Sequence, residues 1–218
     1  MSAFDGVPLA AIDFYEDLER DNSREWWQAQ RARYTDDVRA PMEALAAVLE
    51  EEFGSAKVFR PNRDVRFSAD KSPYKTHQGF VVPLAEGIGW YVQVSAEGLM
   101  TAGGWWRGTP EMIAAYRAAL LEEEDHDAGE ELERILQDLR EAGYAIGGDR
   151  LRTKPRGVAA EHPFLDLLRH RSLTAERQHG EPEWLPTPGA AERVAADWRA
   201  YRPLMQWLAA NVSGTDRP

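Results

Sequence analysis

The chain has no cysteine, which excludes disulfides and thiolate chemistry. No apolar run reaches the roughly 18 residues that a membrane-spanning helix needs, so no membrane association is expected. Basic residues are scarce beside acidic ones. There are 26 Lys and Arg against 37 Asp and Glu, a formal net charge of −11. That excess repels nucleic-acid backbones, and non-specific nucleic-acid binding is not expected. The opening "MSAFDGVPLAAIDFYEDLERD" lacks the basic start of a secretory leader, so the expected location is cytoplasmic. The glycines form neither a G-x-G-x-x-G nor a Walker cradle, and there is no G-x-S-x-G elbow. His162, His170 and His179 have no zinc spacing, so no metal site is expected, and nothing specifies a cofactor.

What remains is an ordinary globular composition: 218 residues, 43% hydrophobic and 29% charged. From Pro8, the residues Leu9, Ile12, Phe14 and Leu18 recur at near-helical spacing. Asn22 followed by Glu25 has the form of a capping box opening a second helix, which carries Trp26, Trp27, Tyr34 and Val38. Pro41 interrupts it, as a kink or as the first turn of a new helix. The stripe continues through Met42, Leu45, Leu49 and Phe53 to Gly54.

The period then changes to two. "RDVRFS", "GFVVPL", "WYVQVS" and "GLMTAG" read as an antiparallel meander of about four strands. Helices follow: one capped by Thr109 and Pro110, one opened by Asp127, a short one after His162, and a last one carrying Trp198, Tyr201, Leu204 and Trp207. That last helix is expected to bend or break at Pro203. The expected architecture is a single α+β domain over residues 1–218, an antiparallel meander packed by helices from both chain ends.

One stretch stands out against the acidic background: "RDVRFSADKSPYKTH", Arg63 to His77. From Lys57 to Lys75, Lys57, Arg60, Arg63, Arg66, Lys71 and Lys75 face only Asp64 and Asp70, six charges less two, a local +4. Strand alternation would put Val65 and Phe67 on the core face and Asp64, Arg66 and Ser68 opposite. Asp70 is placed to accept the N–H two residues on, and Pro73 suits a turn. A second basic knot, "RLRTKPRG", carries Lys154 and Arg156.

The longer run "FRPNRDVRFSADKSPYKTHQGFVV" resembles the signature of domain-of-unknown-function family 2461. "FYEDLERDNSREWWQAQRARY", "GWYVQVSAEGLMTAGGWW" and "LRTKPRG" with "HPFLDLLRHRSL" agree in order, so the resemblance covers about Ile12 to Leu208. Trp27 stands where the family usually has phenylalanine. The resemblance implies an α+β fold and a bacterial or fungal setting. It implies no activity, so no catalytic residue is carried over.

The expectation is a cleft for a small phosphorylated or carboxylated molecule. Arg63, Arg66, Lys71, Tyr74 and Lys75 would bind the anion, joined by Lys154 and Arg156, and His77 would be the candidate proton carrier. Two alternatives stand beside it. One is a non-catalytic module that docks nucleic acid or an acidic partner. The other is a structural hairpin whose cations pair with Asp64 and Asp70. Whether the protein is an enzyme is left open. "EEEDHD" reads as a solvated connection. Trp26, Trp198 and Trp207 read as core, and Trp105 and Trp106 as pocket-lining or packed under the next helix.

Overall fold

The computed structural model describes residues 4–64, 66, 70–121 and 127–212. Val65 and Phe67, with their expected core face, and Glu122 to His126 of the "EEEDHD" connection lie outside the described residues. The helices are α1 (Ala10–Arg20), α2 (Arg24–Ala29), α3 (Arg31–Arg33), α4 (Ala40–Phe53), α5 (Pro110–Leu121), α6 (Asp127–Glu141), α7 (Leu165–Leu168) and α8 (Ala190–Asn211). A π-helical segment, Tyr34–Arg39, joins α3 to α4. The strands are β1 (Lys57–Val58), β2 (His77–Ala85), β3 (Ile88–Ser95), β4 (Gly98–Trp105), β5 (Ala145–Gly147) and β6 (Leu173–Gly180).

The strands form one six-stranded antiparallel sheet in the order β1-β2-β3-β4-β6-β5. The fold is α+β, and β2, β3 and β4 are three of the about four strands expected in the meander; of the fourth, "RDVRFS", the described residues Arg63, Asp64 and Arg66 are in no strand. Gly87 takes φ +68 in the β2–β3 turn, a conformation open to glycine without steric cost. β6 was not anticipated. "LTAERQHG" buries only Leu173 and Ala175, too little apolar alternation to read as a strand.

The chain packs into two compact units, each assembled from three segments. The first comprises Met1–Val82, Tyr91–Thr101 and Gln178–Ala196. Its core gathers Ile12, Phe14 and Leu18 of α1, Met42, Leu45 and Leu49 of α4, and Val92 and Val94 of β3. Phe14 is fully buried, with the rings of Tyr15, Trp26, Trp27 and Tyr34 within 5.3–5.7 Å. Each such aromatic pair adds about 0.5–1.5 kcal/mol beyond area burial.

The second unit comprises Pro83–Trp90, Ala102–Arg177 and Asp197–Pro218. Trp105 is fully buried and packs its ring 5.5 Å from Tyr116 of α5, under the following helix, while Trp106 is exposed. α8 runs through Pro203 as one helix rather than breaking there. Its buried Asp197 accepts from the Tyr144 hydroxyl at 2.9 Å and from Arg177 at 3.3 Å, and the Arg177 guanidinium lies 3.8 Å over the Tyr144 ring. Burial, then the Asp197 charge, pushes the Tyr144 hydroxyl up to about 12. Among the described residues no helix is long and apolar enough to cross a membrane.

Candidate functional site

The basic stretch enters and leaves through a short two-stranded clasp in the first unit. Asn62 and Tyr74 form an antiparallel bridge. The Arg63 N–H reaches Pro73 O at 2.9 Å, and the Lys75 N–H reaches Pro61 O at 2.8 Å. Asn22 closes the clasp from outside. Its side-chain amide donates to Tyr74 O at 3.0 Å and accepts from Tyr74 N at 3.2 Å. Asn22 is therefore not the α2 cap. Ser23 is, accepting from Trp26 N at 3.1 Å.

Within the loop, cations and carboxylates pair internally. Arg66 forks onto Asp64, with Nε to Oδ1 at 2.9 Å and Nη2 to Oδ2 at 2.6 Å. Arg63 pairs with Asp70, which also accepts the Ser72 N–H at 2.8 Å in the expected turn. Ser72 first, then Arg63, hold Asp70 down at about 2. Arg66 holds Asp64 below the usual carboxylate range. Lys71 is exposed. The Lys75 ammonium lies 5.0 Å over the Phe59 ring, and its pKa is lowered by burial and by Arg60. The pKa of His77, half-buried at the start of β2, is lowered by burial first, then by Lys75 and Arg63. Lys154 and Arg156 belong to the second unit. There Lys154 Nζ donates to Val158 O at 2.5 Å, and Arg156 is exposed.

The first unit holds a cleft of about 650 Å³ beside this loop. Of the anticipated ligand residues, Tyr74 lines it. Arg63, Arg66, Lys71, Lys75 and His77 do not. Its aromatic wall is Trp27, Tyr34 and Tyr74, each buried. Trp27 stacks on Tyr74 at 4.0 Å and 9°, with Tyr34 tilted 4.7 Å from Trp27. The Tyr34 hydroxyl donates to Gln78 Oε1 at 2.6 Å, and Gln78 Nε2 donates to Phe59 O and Gly79 O at 2.9 and 3.0 Å. Burial pushes Tyr34 up to about 12. Gly79 leaves room that a side chain would take, because a Cβ there would meet the Tyr91 hydroxyl at 2.5 Å.

The charged wall is Arg31, Arg39 and Arg60, with Glu43 as the carboxylate facing them. Arg39 Nε donates to Glu43 Oε1 at 2.8 Å. Among the described residues neither Arg31 nor Arg60 makes a salt bridge, though Arg60 is near enough to Asp64 to help lower its pKa. The π-helical segment supplies Tyr34, Thr35 and Arg39 to the wall. Its cause is Pro41, which has no N–H and whose ring would strike the carbonyl four residues back. The helix answers by slipping a residue, and the Ala40 N–H bonds to Thr35 O instead of the carbonyl an α-helix would use.

The sequence held a faint signal for these arginines. Arg31, Thr35, Arg39 and Glu43 recur at four-residue steps, which reads equally as a solvated helix face. Among the described residues, no His, Asp and Glu cluster could hold a metal ion. A second cleft of about 550 Å³ in the second unit carries mixed charge: Glu130, Glu133 and Asp166 against Arg134 and Arg140.

No curated protein matches the sequence. An uncharacterized protein from Methanothermobacter thermautotrophicus is similar in structure, with 15% sequence identity over 79% of this chain and 99% of that chain, at a TM-score of 0.41. The sequence also matches the family model described as a conserved hypothetical protein (DUF2461) over residues 10–207, and the chain belongs to that family.

Proposed function

We propose that the first unit binds a small phosphorylated or carboxylated molecule in its basic cleft. The observation that carries this reading is three arginines and one glutamate lining one 650 Å³ cleft, in a chain of net charge −11. Guanidinium forks match carboxylate and phosphate oxygens in two-point contacts. The volume falls within the range of small-molecule sites. In this reading Arg31 and Arg60 take the anion, and Tyr74 forms part of the wall.

The loop Arg63–Ser72 has a different reading, as a structural hairpin. Its two carboxylates already satisfy Arg63 and Arg66. The test separates the two roles. Inorganic phosphate and citrate, added at low ionic strength, should raise Tm by mass action. Saturation at about 100 times Kd corresponds to about 2.7 kcal/mol, or roughly 5–10 °C for a chain of this size. Arg31→Ala and Arg60→Ala should lose that rise, and Arg66→Ala should keep it with an unchanged starting Tm. An equal response in all four proteins would end the reading. So would steep salt dependence with oligonucleotides replacing the anion response, which marks a nucleic-acid module.

A further inference from the structure

We infer that the cleft's ligand is a phosphorylated polyol, a class that follows from Glu43. This rests on the anion-binding reading above. A carboxylate among anion-binding guanidiniums repels a simple anion, and it becomes favourable only if the ligand brings a donor to it. Glu43 is placed to take one. Its side chain is 45% exposed, and Oε1 receives Arg39 Nε. Among the described residues Oε2 accepts no hydrogen bond, and the two terminal nitrogens of Arg39 donate none. The pair therefore presents one acceptor and two donors side by side.

A hydroxyl both donates and accepts, so it matches that pair. An ammonium matches Glu43 alone and is repelled by Arg31, Arg39 and Arg60. Gln28 and Asn62, both exposed on the lining, extend the same donor and acceptor character. The Thr35 hydroxyl donates to Arg31 O, which leaves its oxygen as an acceptor. The aromatic wall offers a base no face to stack on. Trp27 is covered by Tyr74 and Tyr34, and Trp27 and Tyr74 are each only 6% exposed. Arg31 and Arg60 would hold the phosphate while Arg39 and Glu43 read the hydroxyls.

Glycerol 3-phosphate and n-propyl phosphate form a matched pair, with equal carbon counts and differing in hydroxyls. Calorimetric titration should give glycerol 3-phosphate at least about a tenfold tighter Kd, because a site built for hydroxyls rejects the analogue lacking them. Phosphoethanolamine should bind no better than propyl phosphate, and AMP no better than glycerol 3-phosphate. Glu43→Ala should shift the two probes in opposite senses. Propyl phosphate should bind more tightly once the like charge is gone, and the glycerol preference should collapse. A misfolded variant cannot produce that crossing. Equal binding of the pair by wild type, a preference that survives Glu43→Ala, or tighter AMP binding would each overturn the polyol assignment while leaving an anion site standing. If no phosphate binds wild type, the anion reading falls with it.

Discussion

Asn22 shows how much one side chain can organise. Its amide mimics a strand neighbour, giving Tyr74 both a donor and an acceptor across a long sequence separation. Tyr74 in turn stacks on Trp27 at the cleft wall. Asn22→Ala removes both bonds and leaves Tyr74 N–H and C=O without them. The expected loss is about 1–3 kcal/mol, read as a lower urea midpoint with unchanged slope. The phosphate-induced rise in Tm should weaken as well, since Asn62 and Tyr74 both line the cleft. In the sequence, Asn22 looked like a cap because its place before a helical run fits that role equally well. The neighbouring Ser23 took the role instead.

At the scale of elements, the decisive feature is the π-helical slip between α3 and α4. Pro41 was legible as an interruption, as a kink or as the first turn of a new helix. The structure runs the chain directly into α4 and places the adjustment just before it. Pro41→Ala supplies an N–H and removes the ring clash, so the segment can return to the α register. Helical circular dichroism should be unchanged or stronger. The Arg39–Glu43 pair should turn relative to Arg31, and the phosphate-induced Tm shift should fall. An unchanged shift would mean that the slip does not position the arginines. β3 was readable by its alternation, and β2 and β4 as short apolar runs bounded by turn residues. The alternation of Val65 and Phe67 lies on residues outside those described. β6 was hidden by its polar residues, and β1 by its length of two residues.

At the scale of the whole molecule, two histidines, His77 and His170, make stability fall in mildly acidic solution. His77 and His170 both have pKa values lowered below the ordinary 6.5, chiefly by burial. The unfolded chain therefore binds more protons than the folded one once pH falls below about 6.5. Stability is complete above that pH and declines as pH drops through the depressed folded values. Urea midpoints from pH 7.5 to 5 should fall accordingly. His77→Gln and His170→Gln should each flatten the slope. Asp17, whose pKa is lowered by Arg33, contributes its own loss only in the lower carboxylate range. The net charge of −11 is a property of the whole chain and says little about any one face. The cleft of the first unit is cationic in spite of it.

Composition and periodicity alone determined the α+β class, the central meander, the aromatic core helices and the concentration of cations near residue 66. Those are local properties: side-chain period, turn chemistry and charge along the chain. Which cations face a shared cavity was decided by tertiary structure. Arg63 and Arg66 are paired with Asp70 and Asp64 of their own loop, since a short loop brings its own opposite charges together. Arg31 and Arg39 lie on one helical run from α3 through the π-helical segment, and Arg60 joins them at the cleft because Tyr74, Trp27, Tyr34 and Gln78 tie its segment to that run. The Arg31–Arg39 spacing leaves a four-residue period in the sequence, but the arrival of Arg60 depends on packing across the fold and leaves none.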